Sequence, residues 1–395
     1  MAGIYIHIPF CKSRCIYCGF YSTTLMNLRQ RYVDAVCCEI IRRKEMNALQ
    51  GEWTVSTIYL GGGTPSQLTT RQTAQLLESI YNIYNVESDA EVTIEVNPDD
   101  VTTEFADHLR QLPINRVSMG AQTFDDQRLR FLHRRHSGAQ VAQAVERLRR
   151  AGIGNISVDL MYGFPGETPE QWLHDIDTAL ALGVEHLSAY CLMIEEGTAL
   201  FEKIKKYKNK KIKNLKTKND IVNGESGEIR ECDEEVERAM YYALKDRLEA
   251  AGYEHYEISN FARPGRRSRH NSSYWTGIPY LGLGAAAHSF DGKARQWNVS
   301  DIRQYIEAVE RGLPVAEHEE LDDDTLYNDR VAVALRTREG LDLNALAPAY
   351  RNYCRREARK WIDHGLLRLQ DSRLALTREG LFVSDMIMAD LMMVK

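Results

Sequence analysis

Six short β-rich runs, each followed by a stretch of helical spacing, constrain this chain more than any other feature. They span residues 3–8, 55–60, 91–96, 116–121, 155–160 and 186–192, with helical patterns near 29–48, 69–84, 102–110, 125–150 and 169–182. Strands that alternate with helices pair in parallel, because each crossover returns the chain to the same end of the sheet. Six units fall short of the eight that close a full barrel, so the sequence predicts an α/β fold, an incomplete (β/α)6 barrel with an open side. A doubly wound sheet is the alternative, and in both folds the ligand site lies at the C-terminal ends of the strands.

The expected organisation is a partial barrel over residues 1–200, a lysine-rich insertion over 201–230, a barrel extension over 231–300 and a C-terminal domain over 301–395. Residues 203–218 carry nine lysines and no acidic residue, the composition of a solvated, mobile insertion. Such a cluster is also attracted to anionic lipid, by ~1 kcal/mol per residue near the surface. Asp233 opens an amphipathic helix that runs to about Ala251 and stops at Gly252. The final segment reads as mainly helical and winged-helix-like, with apolar residues such as Leu326, Val331, Leu335 and Leu346 packing around a short strand pair near Leu366 to Leu376. No basic recognition helix stands out there, which argues against DNA binding.

A chain of 395 residues buries about three-quarters of its unfolded surface, so core supply is not limiting. Its 50 basic and 56 acidic residues give a formal charge of −6, and no global field favours nucleic acid. The start of the chain lacks the pattern of a secretory signal, and no run reaches the ~18 apolar residues needed to span a bilayer. The expectation is a cytoplasmic protein, whose eight cysteines serve as ligands or apolar fillers rather than in disulfides.

Three of those cysteines, Cys11, Cys15 and Cys18, form a CxxxCxxC array directly after the apolar run Ile4, Tyr5, Ile6 and Ile8. Three thiolates on one short loop can hold three irons of a 4Fe-4S cube and leave the fourth open to a ligand. The competing reading is structural zinc, which needs four protein ligands and for which His7 would have to complete the set. Cys37, Cys38, Cys191, Cys232 and Cys354 lie elsewhere in the chain.

Polar and glycine residues then gather where the strands end. The second strand runs into Gly61, Gly62, Gly63, Thr64 and Pro65, where absent Cβ atoms let the backbone approach a bound molecule. Glu95 and Asn97 close the third strand, Gln122 the fourth, and Arg134 is expected on the helix that follows. Asp159 interrupts the apolar run Ile156, Val158, Leu160. A charge in a buried parallel strand is costly unless paired or bound, so four such groups at one barrel mouth indicate a polar ligand.

The cysteine loop, the Gly62-Gly63-Thr64-Pro65 turn and Glu95, Gln122, Arg134 and Asp159 together resemble the cofactor-binding set of the radical SAM superfamily. Within it, nearly the whole chain resembles the group that contains oxygen-independent coproporphyrinogen oxidases and HemW-type heme chaperones. The resemblance implies that the open iron chelates S-adenosylmethionine, with Tyr5 and Tyr17 flanking it. Gly62, Gly63 and Thr64 would supply backbone contacts, while Glu95, Gln122, Arg134 and Asp159 hold polar groups. It also implies reductive cleavage of the cofactor to a 5′-deoxyadenosyl radical, chemistry that belongs to the cofactor and calls for an electron donor.

Two departures weigh against the oxidases. They carry a further cysteine two positions after the third cluster ligand, where this chain has Phe20, and an N-terminal extension that is not seen here. Pointing the other way, His270, Asn271, Ser272, Ser273, Tyr274 and Trp275 form HNxxYW, which resembles the heme-binding motif of the chaperones. An imidazole is a common axial ligand, and Tyr and Trp rings offer flat surface to a porphyrin. Arg263, Arg266, Arg267 and Arg269 could pair with propionates. Gly282, Gly284 and His288 are candidates to close over the same cavity.

The function expected from this resemblance is binding of heme and its delivery to apo-hemoproteins such as respiratory enzymes, with His270 as the iron ligand. The alternatives are oxidative decarboxylation of coproporphyrinogen III and another radical SAM reaction. Peripheral contact with the inner face of the cell membrane and a homodimer are compatible with either.

Overall fold

The computed structural model describes residues 2–46, 53–214 and 232–394. Strands β1 (Ala2–Ile8), β2 (Thr54–Gly62), β3 (Asn85–Val96), β4 (Arg116–Gln122), β5 (Ile156–Tyr162) and β6 (His186–Cys191) lie side by side, parallel and in chain order. Between them run α1 (Arg29–Glu45), α2 (Thr70–Ile83), α3 (Thr103–Leu109), α4 (Asp126–Phe131), α5 (Gly138–Arg150) and α6 (Pro169–Ala181).

Alternation along each strand separates two environments. Ile4, Ile6 and Ile8, Ile58 and Leu60, Val117 and Met119, and Ile156, Val158 and Leu160 are buried in the main apolar core. Each such side chain contributes about 1.5–3 kcal/mol by leaving water. The alternate positions are polar or aromatic: Tyr5 and His7, Tyr59, Thr93 and Glu95, Ser118, Ser157 and Asp159, His186, Ser188 and Tyr190. The concave side of the sheet is therefore a polar lumen.

The chain continues through α7 (Ala199–Asn214), α8 (Glu234–Ala250), β7 (Glu254–Glu257), β8 (Asn260–Ala262), α9 (Arg269–Trp275), β9 (Tyr280–Leu283), β10 (His288–Phe290), β11 (Ala294–Asn298), α10 (Ile302–Glu310) and β12 (Ala316–Glu320). These strands extend the parallel block at both edges, β8 and β7 beyond β6 and β9 to β12 beyond β1, giving twelve strands in one sheet among the described residues. A buried network ties α1 to the added strands. Glu39 accepts from Arg43, from the Tyr305 hydroxyl at 2.6 Å and from the Gly284 N–H at 2.9 Å.

A smaller unit follows, with α11 (Asp323–Ala334), β13 (Leu341–Asp342), α12 (Pro348–Asp363), β14 (Leu367–Gln370), β15 (Arg373–Leu376), α13 (Arg378–Leu381) and α14 (Ser384–Leu391). Its separate core contains Tyr327, Val331, Leu335, Cys354, Ile387 and Leu391. The strand pair anticipated near Leu366 to Leu376 is β14 and β15.

Three details differ from expectation. Residues 125–150 form two helices rather than one, because Asp125 caps α4 while the Gln140 side chain accepts the Ser137 N–H and starts α5 anew. Between them His133 takes a φ of +61°, and Arg134 sits in the break rather than on a helix. The lysine-rich stretch is helical as far as Asn214, because Leu200 and Ile204, one turn apart, bury against Ile16 and Leu132. The rest of that insertion, 215–230, lies outside the described residues. Finally, of two elements read as part of the C-terminal domain, β12 joins the large sheet and α10 packs into the main core.

Candidate functional site

The three cysteines occupy the loop that leaves the C-terminal end of β1. Backbone bonds fix its course: Cys11 N–H donates to Thr23 O at 2.9 Å, Ile16 N–H to Leu132 O at 3.2 Å, and Leu200 N–H to Ile16 O at 2.8 Å. Cys11 Sγ lies 3.3 Å from Thr64 Oγ1, and the Arg134 guanidinium approaches Cys15 Sγ at 3.7 Å. Burial pushes the Cys11 and Cys18 thiols up. A bound cation is what lowers such thiols into their ligating form.

Among the described residues no three His, Cys, Asp or Glu side chains converge on a single ion. His7, the zinc candidate, is engaged by the Tyr5 hydroxyl at 3.1 Å and by Tyr21 O at 3.1 Å. Burial lowers it to about 4. Thiolates that each take a different iron of a cube need not converge in this way.

The glycine turn lies beside the loop. Gly62 has a φ of +110°, and a Cβ there would stand 2.5 Å from the His7 ring. A Cβ on Gly63 would come within 2.7 Å of the Pro9 carbonyl carbon. Only glycine fits either position. Gly62 N–H donates to Glu95 Oε2 at 3.0 Å, while the other oxygen of that carboxylate accepts from the Tyr59 hydroxyl at 2.8 Å. Burial raises Glu95 to about 7 and raises Asp159 as well. Ser118 Oγ reaches both Asp159 oxygens at 3.4 Å.

Arg134 closes the mouth from the other side, donating to Asn97 Oδ1 at 2.8 Å and to Gly120 O. Gln122 ends β4 with a φ of +67°, an uncommon conformation for a side-chain-bearing residue and typical of positions held for function. Tyr17 packs beside Ile16 and Leu132 at the mouth, and Tyr5 faces the lumen, stacked 6.1 Å from Tyr59. The cysteine loop, the glycine turn, Glu95, Gln122, Arg134 and Asp159 thus lie along one strand-end mouth.

The HNxxYW motif is elsewhere, at the N-terminal ends of β1 to β3. It forms α9, whose N-terminus Ser268 caps by accepting from Asn271 N–H at 3.2 Å. His270 is 1% exposed and plugs the floor of the lumen. Its Nδ1 lies 2.8 Å from Thr57 Oγ1, its Nε2 lies 2.8 Å from the Tyr274 hydroxyl, and its ring stacks 5.0 Å from Tyr59. Gly3 makes room for it, since a Cβ there would meet the imidazole at 3.2 Å. Burial lowers His270 to about 3, so the ring is neutral. Trp275 packs edge-on against Tyr256 at 5.9 Å.

The arginines before the motif are mostly committed. Arg263 lies over the Tyr253 ring, Arg269 bonds Asp89 O at 2.7 Å, and Arg267 pairs with Glu254 and Glu339. Sequence reasoning passed over Tyr59 and Thr57. It also passed over Arg116, which is 1% exposed with Nε and NH1 lacking hydrogen-bond partners. The signal was present in the two-residue alternation of Thr57 with Tyr59 and of His186, Ser188 and Tyr190.

A parallel βα block with a cysteine loop at its mouth is the arrangement of a radical SAM protein, and the family model for the radical SAM superfamily matches residues 5–179. A model for the HemN C-terminal domain matches residues 321–383. The chain is 35% identical over 392 residues to the heme chaperone HemW of Mycobacterium tuberculosis, covering 99% of this chain and 94% of the relative. It is 34% identical to the heme chaperone HemW of Bacillus subtilis, covering 89% and 87%. The solved structure of the Escherichia coli coproporphyrinogen III oxidase, HemN, superposes with a TM-score of 0.80 at 22% identity, covering 99% of this chain and 90% of that one. This chain belongs to the HemW family within the radical SAM superfamily.

Proposed function

We propose that this chain carries a 4Fe-4S cluster and S-adenosylmethionine at the strand-end mouth, binds heme through the α9 motif, and passes the heme to apo-hemoproteins. The mouth fits the first two groups. Cys11, Cys15 and Cys18 supply thiolates on one loop, and Gly62 and Gly63 leave a cradle that any Cβ would fill. The buried Glu95 and Asp159 face a lumen in which the Arg116 guanidinium keeps unmatched donors. When bound, the pair supplies one-electron chemistry. The protein's part is to hold the thiolates with Thr64 and Arg134 beside them, and to offer Glu95 to an amino or hydroxyl group.

The observation that carries the heme reading is the HNxxYW helix in a chain whose relatives are named heme chaperones. Phe20, where the oxidases place a further cysteine, argues against coproporphyrinogen decarboxylation. No helix among the described residues is long and apolar enough to cross a membrane. Recipient hemoproteins, an electron donor, a peripheral membrane contact and a homodimer belong to the proposal. So does a cytoplasmic location, which the free cysteines suit.

The test is anaerobic reconstitution followed by heme titration and porphyrinogen turnover side by side. Saturable heme binding, lost in His270→Ala, with no decarboxylated product supports the chaperone. Robust protoporphyrinogen formation replaces it with the oxidase.

A further inference from the structure

His270 cannot meet a heme iron in the arrangement seen here. Both ring nitrogens are engaged, by Thr57 and by Tyr274, and the ring is walled in by Tyr59. The motif nevertheless borders open space. A cleft of about 880 Å³ lies between α9 and α11 of the smaller unit, within the range of ligand pockets, and His270 is not among the residues that line it. Tyr274 is, and its hydroxyl is the group bonded to His270 Nε2. Tyr274 therefore touches both the imidazole and the cleft.

The cleft has the chemistry of a flat, apolar ligand with an anionic edge. Tyr274, Trp275, Tyr280 and Phe290 contribute aromatic surface, and Leu326 and Val333 face it from α11. Tyr280 stands edge-on to Tyr274 with centroids 4.6 Å apart. At the rim, Arg330 spends NH1 on Ala345 O at 3.0 Å, and Arg295 bridges to Asp329. Arg295, Arg267 and Arg373 are matched by Asp329, Glu339 and Asp342, so it is the remaining donors of Arg330 that suit a carboxylate of the propionate type.

We infer that the cleft between α9 and α11 takes the porphyrin plane, and that Tyr274 is a latch: His270 reaches the iron only after the Tyr274 hydroxyl leaves Nε2. The inference rests on the reading of His270 as heme ligand and adds where the ring lies and what restrains the ligand. Breaking the latch forfeits one neutral hydrogen bond, so its removal favours the heme-bound state about fivefold.

The experiment is titration of the full chain with hemin, followed by the Soret band, for wild type, Tyr274→Phe, Ala332→Trp and His270→Ala, with iron-free protoporphyrin as a second probe. Ala332 lines the cleft on α11, where a tryptophan fills it. Tyr274→Phe should bind hemin about fivefold tighter with an unchanged coordination spectrum and bind protoporphyrin as wild type does. Ala332→Trp should lose both ligands by tenfold or more, with wild-type iron and sulfide content and melting temperature. Equal or weaker hemin binding by Tyr274→Phe overturns the latch, as does an equal gain for protoporphyrin, which makes Tyr274 mere wall. Undiminished binding by Ala332→Trp overturns the cleft. A His270→Ala protein with wild-type affinity and spectrum instead removes the underlying ligand assignment.

Discussion

The Tyr59 hydroxyl donates to Glu95 at 2.8 Å, and that bond joins the two ends of the lumen. On one side Glu95 accepts the Gly62 N–H of the glycine turn. On the other the Tyr59 ring stacks on His270, the plug of the floor. Removing the hydroxyl in Tyr59→Phe leaves the stack but takes one donor from a buried carboxylate, at a cost of about 1–3 kcal/mol. S-adenosylmethionine affinity, measured by equilibrium dialysis, should fall by about fivefold or more, with heme binding nearly unchanged.

Glu95 also predicts a pH dependence. An ordinary glutamate titrates near 4.5, and burial raises this one to about 7. Its contribution to stability is complete below about pH 4.5 and is lost as pH rises through 7, because the folded state holds a proton the unfolded chain has released. Binding of a cationic amino group needs the ionised form, whose share rises about tenfold between pH 6 and 8. Affinity for S-adenosylmethionine should climb accordingly, and a Glu95→Gln protein should show a flat profile.

Cys11→Ala, Cys15→Ala and Cys18→Ala should each abolish cluster assembly, read as iron and sulfide content after anaerobic reconstitution. Cys354→Ala should not, since Cys354 is buried in the separate core of the smaller unit. Normal loading in the three loop variants would contradict the ligand assignment.

Gly63→Ala sets a methyl group 2.7 Å from the Pro9 backbone, which has no flexible end to move aside. Overpacking of this kind costs about 1–3 kcal/mol. A lowered melting temperature and weakened cofactor binding should appear together, because the strain falls on the residue beside Gly62 and Thr64.

Arg128 pairs with Glu167 and with Asp175 at 3.4 Å, and both acidic side chains are fully buried. Arg128→Met strands two carboxyl groups, so the protein should lose about 3–5 kcal/mol in urea unfolding at pH 8. The loss should shrink toward pH 6, since burial raises Glu167 to about 7 and protonation removes its uncompensated charge.

Much of the mouth was legible in the sequence because its signals are local. Three cysteines within eight residues, a glycine run at a strand end and Asp159 inside an apolar strand each announce themselves without knowledge of neighbours. Tyr59 did not, because a tyrosine in a strand is unremarkable until Glu95 is placed beside it by the β2–β3 register. The helical form of the HNxxYW motif was equally hidden, since the chain before it reads as a loop of Pro264, Gly265 and arginines.

By itself the sequence determined the alternation of strands and helices, the cysteine loop and the turn that must be glycine, because spacing and backbone conformation are properties of short segments. Only the tertiary structure decided that His270 is a buried plug bonded to Thr57 and Tyr274, and that an open cleft lies beyond it. The bond to Thr57 joins residues 213 positions apart, and hydrogen bonding across such a separation depends on how strands register and helices pack, which no local pattern encodes.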